Sequence, residues 1–153
     1  MTQPALDPDT FAALERTLDR FVKERLVPLE HQVAQDDALP DDLVDEMRRM
    51  GMFGLTIPAE YGGLGLSASE EVALTFTFAR TSPAFRSIFG TNNGIGSRGL
   101  VLAGTDAQKA RYLPRLASGE IIASFALTEP DSGSDARSLK TSARRDGDGW
   151  VLN

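Results

Sequence analysis

The chain has 153 residues, of which 41% are hydrophobic and 25% charged, a composition typical of one soluble globular domain. Its net charge of −6 argues against a general nucleic-acid partner, and the absence of cysteine excludes disulfides, thiolate nucleophiles and cysteine metal sites. Because His31 is the one histidine, a multi-histidine metal site is excluded as well, and no bound metal is predicted.

No apolar run reaches the roughly 18 residues that a membrane span needs. Residues 1–10 lack the basic and apolar regions of a signal peptide. We therefore expect a cytoplasmic protein without a membrane partner.

Five helices are predicted before the first strand. The Asp7-Pro8 dipeptide provides an N-cap and a first helical residue, and apolar residues then recur at three- and four-residue steps as far as Val33. Pro28 is expected to kink or divide this helix, because proline cannot donate a backbone hydrogen bond. The second helix is predicted over residues 41–50 and ends at Gly51.

A loop rich in glycine and proline follows at residues 55–66. Its Gly63-x-Gly65-x-x-Ala68 spacing matches a dinucleotide fingerprint, but no strand is predicted before it, so we interpret the match as a chance one. Residues 67–70 form a capping box for a third helix. Apolar residues cover most of the circumference of that helix, which predicts a central position in a bundle.

Ser82 and Pro83 begin a fourth helix, which is predicted to run through Leu102. It contains glycines at positions 90, 94, 96 and 99, each of which costs roughly 1 kcal/mol relative to alanine. Either close helix packing or room for a ligand would explain them. A fifth helix begins at the capping box of residues 105–108 and stops at Gly119.

The apolar run of residues 121–127 predicts a buried strand. The run breaks at Pro130 into small residues, among which Gly133 lies between two serines. Such a loop can direct N–H groups and hydroxyls toward one point and bind an anion such as phosphate. An ordinary surface turn explains the same composition.

Residues 139–145 and 149–153 predict two further strands, joined in a hairpin by residues 146–148. The expected fold class is therefore α+β. An all-α bundle in residues 1–119 precedes the opening strands of a β-barrel-like middle domain in residues 120–153.

Residues 127–130, Leu-Thr-Glu-Pro, are followed after two spacers by Gly133-Ser134-Asp135. Residues 108–120 upstream and the glycine loop of residues 58–65 also have a characteristic order. Together they resemble the acyl-CoA dehydrogenases, FAD enzymes that desaturate acyl-CoA thioesters between the α and β carbons. Members have an N-terminal helical domain, a middle β-domain and a C-terminal four-helix bundle, and this chain is similar to the first and to the start of the second. The resemblance implies FAD as cofactor, an electron-transferring flavoprotein as acceptor and a homotetramer.

The resemblance also implies contacts to FAD from Phe125, Leu127, Thr128, Gly133 and Ser134. Leu127 and Thr128 correspond to positions near the flavin ring, and Gly133 and Ser134 to positions near the pyrophosphate. The position of Ser134 also borders the acyl-CoA substrate. Many members carry an aromatic hydroxyl where Phe125 offers only a ring.

In this family a glutamate removes the α-proton while the β-hydrogen passes to the flavin as hydride, and hydrogen bonds stabilise the charge on the thioester oxygen. That glutamate lies in the C-terminal domain of most members, so no catalytic residue is expected in this chain. Glu129 belongs to the signature and is expected to have a structural role in its turn. A second flavin-contacting segment is expected after Asn153, so Trp150 is not part of it.

Residues 84–87 resemble the segment of glutaryl-CoA dehydrogenase in which an Arg-Ser pair receives the far carboxylate of the substrate. Arg86 and Ser87 are therefore implied as substrate-binding residues for a dicarboxylyl-CoA, because a bidentate carboxylate satisfies a guanidinium. The alternative is an arginine that points into solvent from the start of a helix.

Two other functions remain compatible with the sequence. Relatives on the same scaffold act as acyl-CoA oxidases or flavin monooxygenases, and a truncated, non-catalytic helical module could retain the signature. A β-domain of about three strands leaves unpaired edges. We therefore expect either a fragment of a longer enzyme or an assembly that covers those edges.

Overall fold

The structure is a computed structural model, and it describes residues 6–153. In this part of the chain helices come first and a hairpin follows, which confirms the predicted fold class. The helices are α1 Pro8–Phe21, α2 Glu30–Asp36, α3 Asp41–Arg49, α4 Ala68–Phe78, α5 Pro83–Asn93, α6 Ile95–Ala103 and α7 Asp106–Ala117; the strands are β1 Ala143–Asp146 and β2 Gly149–Leu152. Residues 1–5, which contribute to the argument against a signal peptide, lie outside the described residues. None of the helices within residues 6–153 has the length and apolar character needed to cross a bilayer.

The first predicted helix forms in two α-helical parts. Asp7 caps α1 by accepting a hydrogen bond from the backbone N–H of Thr10 at 3.0 Å. A π-helical turn, Val22–Leu26, and a 3-10 turn, Val27–Leu29, then lead into α2. The division falls at Pro28 as predicted, because this residue has no N–H to offer an α-helical ladder.

Predictions for the middle helices are partly wrong. The capping box of α4 is confirmed, but the helix is not buried on all sides, since Val72 is 54% and Phe76 72% exposed. Leu74 and Phe78 face the core instead. The predicted long fourth helix is divided into α5 and α6 at Gly94, whose ψ of −112° lies outside the α-helical range.

Two groups of buried apolar side chains hold the helices together. Residues of the larger group that are at most 1% exposed are Leu18, Val22, Leu26, Leu43, Met47, Met52, Phe53, Leu74 and Phe85. Phe89 of α5 packs edge-on against Phe78 at 5.1 Å and against Phe53 at 6.4 Å between ring centroids. The smaller group joins α7 to the glycine-rich loop through Ile57, Leu113, Leu116 and Ala117. Burial of each large apolar side chain contributes about 1.5–3 kcal/mol.

The loop of residues 55–66 is irregular, as predicted, and its backbone folds back on itself. Leu64 donates to the carbonyl of Gly54 at 2.8 Å, and Gly65 donates to that of Ile57 at 2.9 Å. Gly63 lies so close to the backbone carbonyls of Ile57 and Gly54 that a Cβ at this position would be 2.0 Å and 2.6 Å from their oxygens. No strand precedes this loop within the described part of the chain, so the dinucleotide spacing is confirmed as a chance match.

Residues 121–127 do not form the predicted buried strand. Ile122, Phe125 and Leu127 are 48%, 53% and 38% exposed, and the segment pairs with no strand of residues 6–153. A strand needs a neighbour for its backbone N–H and C=O groups. The predicted strand, its pairing and its burial are therefore wrong for the described residues.

The predicted hairpin is confirmed. β1 and β2 are antiparallel, with Asp146 opposite Gly149 and Gly147 in the turn at a φ of +58°. The first strand begins at Ala143, four residues later than predicted at Leu139, and every residue of both strands is exposed.

The close approach at Gly63 generates a stability prediction. Gly63→Ala should lower the free energy of unfolding by about 1–3 kcal/mol, because the added methyl group forces the loop backbone apart. Gly99→Ala is the control, since a Cβ there meets nothing within 4 Å and alanine favours the helix. Chemical denaturation measures both, and equal stabilities for the two variants would contradict the prediction.

Candidate functional site

The predicted anion-binding loop, residues 131–135, is part of a closed turn of residues 129–135, which we call the signature turn. Glu129 donates its N–H to the carbonyl of Ser132 at 2.8 Å, and Ser132 donates back at 3.2 Å, which places Pro130 and Asp131 at the tip. Ser132 is 4% exposed, and its hydroxyl donates to the carbonyl of Asp135 at 2.5 Å. One of the two serines therefore stabilises the turn itself.

Glu129 attaches the signature turn to the chain that leads into β1. One carboxylate oxygen accepts the backbone N–H of Lys140 at 2.7 Å, and the other accepts that of Thr141 at 2.9 Å. The hydrogen bonds from Lys140 and Thr141 hold the pKa of the Glu129 carboxyl below its ordinary value, because they favour the charged form. The expected structural role of Glu129 is therefore confirmed.

The other acidic side chains of the turn also have donors. Asp131 forms an ion pair with the Lys140 ammonium at 2.9 Å. Asp135 accepts the backbone N–H of Arg137 at 3.2 Å and the hydroxyl of Ser138. These contacts offset the negative charge of the turn. Within residues 6–153, no group of three or more His, Cys, Asp or Glu side chains is placed to hold a metal ion.

The predicted cofactor residues lie on the exposed side of the turn and of the extended segment, residues 121–128, that precedes it. A Cβ built at Gly133 would lie 3.7 Å from the Thr128 methyl group, so these two positions meet across the turn. Thr128, Gly133 and Ser134 are exposed, and no atom of residues 6–153 accepts a hydrogen bond from the N–H of Gly133 or Ser134. Free N–H and hydroxyl donors around a residue without a side chain fit a phosphate group.

Asn92 ties the extended segment to the helices. Its Nδ2 donates to the carbonyls of Leu116 and Ile121, both at 3.0 Å, and its Oδ1 accepts the N–H of Ala123 at 2.7 Å. The side chain is completely buried. The sequence patterns did not single out Asn92, because its three partners lie 24 to 31 residues away along the chain.

Arg86 lies at a recess between α4 and α5, which Leu55, Glu71, Leu74, Thr75, Phe78, Phe89, Gly90 and Asn93 also line. Its guanidinium is 3.9 Å from the Glu71 carboxylate, and 41% of its side chain is exposed. Ser87 does not line this recess, and its hydroxyl donates to the backbone carbonyl of Pro83 at 2.9 Å. The structure therefore places Arg86, but not Ser87, beside a concave surface.

Residues 8–120 match the family model described as the N-terminal domain of acyl-CoA dehydrogenases. The chain belongs to this family. The (2S)-methylsuccinyl-CoA dehydrogenase of Cereibacter sphaeroides is 44% identical over 135 residues, which are 88% of this chain and 24% of that protein.

Solved structures of the family have the same fold. An acyl-CoA dehydrogenase complexed with FAD from Bacillus anthracis matches with a TM-score of 0.81 and 35% identity, over 97% of this chain and 26% of that one. A glutaryl-CoA dehydrogenase in its glutaryl-CoA complex matches with a TM-score of 0.81 and 30% identity, over 98% of this chain and 38% of that one. The chain therefore spans about a quarter to two fifths of the length of these relatives. The resemblance to acyl-CoA dehydrogenases is confirmed.

The glycines of the divided helix also have distinct surroundings in this family member. A Cβ at Gly96 would lie 2.4 Å from the Ala123 methyl group, and one at Gly90 would lie 3.4 Å from the Arg86 guanidinium. Close packing therefore explains Gly96, whereas Gly99 faces open space.

The pKa of Glu129 generates a pH prediction. Because the folded state lowers this pKa, the stabilisation from its hydrogen bonds is present above the ordinary glutamate pKa of about 4.3. It is lost as the pH falls through the lower pKa of the folded state. We expect the Lys140 and Thr141 amides to lose hydrogen-exchange protection over that acidic range, relative to amides of α7.

Glu129→Gln should make one of these two amides exchange several-fold faster at neutral pH, because the glutamine oxygen still accepts one N–H group but its NH₂ cannot accept the other. Asp131→Asn is the control, since it removes a nearby carboxylate and leaves both backbone bonds in place. Equal exchange in the two variants would show that Glu129 does not hold this segment.

Proposed function

We propose that this chain forms the N-terminal part of an FAD-dependent acyl-CoA dehydrogenase, which desaturates an acyl-CoA thioester between its α and β carbons. The observation that carries the proposal is the signature turn, which presents the unpaired N–H donors of Gly133 and Ser134 and begins nine residues after the family match ends at residue 120. The solved Bacillus anthracis relative is an acyl-CoA dehydrogenase complexed with FAD.

We place the domain boundary at Gly119, between a helical domain of residues 1–119 and the start of a middle β-domain in residues 120–153. Gly119 ends α7 at a φ of +74°, and its carbonyl accepts a hydrogen bond from Arg48 at 3.0 Å. Residues 120–128, which follow it, belong to no helix or strand. The family match to residue 120 supports the same division.

In this proposal Gly133 and Ser134 bind the diphosphate of FAD through their free N–H groups, and the Ser134 hydroxyl also borders the acyl-CoA. Phe125, Leu127 and Thr128 lie beside the flavin ring. The exposed apolar side chains of Phe125 and Leu127 exclude water from it, and Thr128 offers a hydroxyl at the same surface. Bound flavin supplies the hydride acceptor of the reaction.

The proton-abstracting glutamate is proposed to lie outside this chain. Both oxygens of Glu129 accept backbone N–H groups, and its pKa is lowered, so this carboxylate is a weak base held in a structural role. Glu71, the carboxylate at the recess, faces Arg86.

The partners of the whole protein follow from the family in this proposal. They are an acyl-CoA substrate from fatty acid metabolism and an electron-transferring flavoprotein that accepts the electrons. The whole protein is further proposed to be a homotetramer and to be cytoplasmic. Slow reaction of the substrate-reduced protein with oxygen, and fast reduction of an electron-transferring flavoprotein, would separate this function from that of an oxidase or a monooxygenase.

We further propose a dicarboxylyl-CoA substrate, with Arg86 as the group that receives the far carboxylate and Ser87 as its neighbour. The two named relatives that act on methylsuccinyl-CoA and bind glutaryl-CoA support this substrate class. In the structure Arg86 lines the recess between α4 and α5, and its weak 3.9 Å contact with Glu71 leaves donors for a second carboxylate.

Gly133→Ala tests the FAD site. The added methyl group meets only Thr128 at an ordinary 3.7 Å, so the melting temperature of the FAD-free protein should not change. If a diphosphate lies against this backbone, FAD binding should weaken about tenfold, because the ligand must shift. Flavin fluorescence titration of the full-length protein measures the affinity.

Gly149→Ala is the matched control, since its Cβ would also make an ordinary contact, at 3.8 Å from the Asp146 carbonyl. It should leave both FAD affinity and stability unchanged. A full-length protein that binds no FAD, or equal affinities for the two variants, would contradict the proposed site.

Arg86→Ala tests the substrate class. The kcat/KM for a dicarboxylyl-CoA should fall about 100-fold, because a charge-assisted bidentate contact is lost, while that for a plain acyl-CoA changes less than about threefold. Arg80→Ala is the control, because Arg80 is also paired with one carboxylate, that of Asp19 at 2.7 Å, but does not line the recess. Equal losses on both substrates would refute the assignment of Arg86.

A further inference from the structure

We infer that Asn92 is a positioning residue for the cofactor, acting together with Gly96 through the backbone of the extended segment. This inference rests on the proposed function, since it assumes that residues 125–134 contact FAD. Asn92 lies in α5, and its side-chain hydrogen bonds go to Leu116, Ile121 and Ala123, none of which is a predicted cofactor residue. Its effect on FAD would pass through residues 121–123, to which it is bonded.

The amide of Asn92 links three parts of the chain at one buried point. It bonds the last turn of α7 at Leu116, and the extended segment at both Ile121 and Ala123. Both of its N–H donors and its oxygen are used, and the side chain is completely buried. Such a satisfied buried amide fixes the segment in one position, because any displacement leaves polar groups unpaired.

Gly96 holds the same segment from α6. Its missing side chain allows the helix to approach Ala123, where a Cβ would lie only 2.4 Å away. Ala123 is therefore held in place by two contacts: its N–H donates to Asn92, and its methyl group packs against Gly96. Two independent contacts converge on a single residue.

At its start the extended segment is also attached to α7, because Ile121 donates its N–H to the Arg115 carbonyl at 3.2 Å. Between Ala123 and Glu129, no backbone N–H donates to an atom of residues 6–153. Leu127 lies four residues beyond Ala123, which is at most about 13 Å of chain. A small rotation at Ala123 is therefore carried to the residues proposed to face the flavin.

Asn93 provides a matched comparison on the neighbouring residue. It is 3% exposed, its Nδ2 donates to Met52 at 2.6 Å and to Phe89 at 3.1 Å, and its Oδ1 accepts the N–H of Thr56 at 3.2 Å. The chemistry and burial are similar to those at Asn92, but outside α5 the bonds reach Met52 and Thr56 instead of residues 116–123. Comparing variants of Asn92 and Asn93 therefore distinguishes a general loss of stability from a loss of cofactor positioning.

The experiment compares Asn92→Asp with Asn93→Asp in the full-length protein. Each substitution sets a carboxylate oxygen against two carbonyl oxygens, so both variants should lower the melting temperature of the FAD-free protein by similar amounts. Asn92→Asp alone should weaken FAD binding about tenfold or more, because it displaces the segment that contacts the cofactor. Hydrogen exchange of the FAD-free protein should rise at the Ile121 and Ala123 amides in this variant, and at residues 52–56 in the other.

Gly96→Ala and Gly99→Ala form a second pair of variants, which tests the role of the extended segment in FAD binding if the asparagine variants do not fold. Gly96→Ala should repeat the loss of FAD affinity, and Gly99→Ala should retain wild-type affinity. A wild-type protein that binds no FAD would overturn the proposed function and this inference with it. A wild-type protein that binds FAD, combined with equal affinities within each pair, would overturn this inference alone.

Discussion

Two neighbouring amide side chains, Asn92 and Asn93, satisfy the irregular backbone on either side of α5. Buried N–H and C=O groups outside helices and sheets need partners, and each one left unpaired costs about 1–3 kcal/mol. Asn93 supplies them for Met52 and Thr56, and Asn92 supplies them for Ile121 and Ala123. The glycine-rich loop and the extended segment are thereby fixed to the same turn of the same helix, so the position of the candidate site depends on this dipeptide.

The extended segment is consequently defined by its two ends. At one end Ala123 is bonded to Asn92, and at the other Glu129 is bonded to the chain that enters the hairpin. Between these points Phe125 and Leu127 remain open to solvent. A surface held at its ends and free along its length can receive a flat ligand without first breaking internal bonds, which makes the geometry suitable for a cofactor site.

Local chemistry made most helix boundaries predictable, and tertiary contacts account for the rest. The caps at Asp7, Ser67 and Thr105 act within three residues, and all of them are present in the structure. The division at Gly94 and the open face of α4 depend on packing between helices, which periodicity does not report. The strand predicted at residues 121–127 has no partner strand in the described chain. Local sequence could not reveal this, because strand pairing depends on residues that are distant along the chain. The signature turn was visible in the sequence, but the attachment by Asn92 was not, since its partners are distant along the chain.

Local charge, rather than net charge, decides whether the signature turn can accept an anion. The chain carries a net charge of −6, and three carboxylates lie within residues 129–135. Glu129 faces two backbone N–H groups, Asp131 faces the Lys140 ammonium, and Asp135 faces an N–H and a hydroxyl, so each carboxylate has donors from residues 137–141, just after the turn. The donors of Gly133 and Ser134 are then the uncompensated groups at the surface. Because interactions between exposed charges are screened beyond about 10 Å, these near donors outweigh the distant acidic residues of the helices.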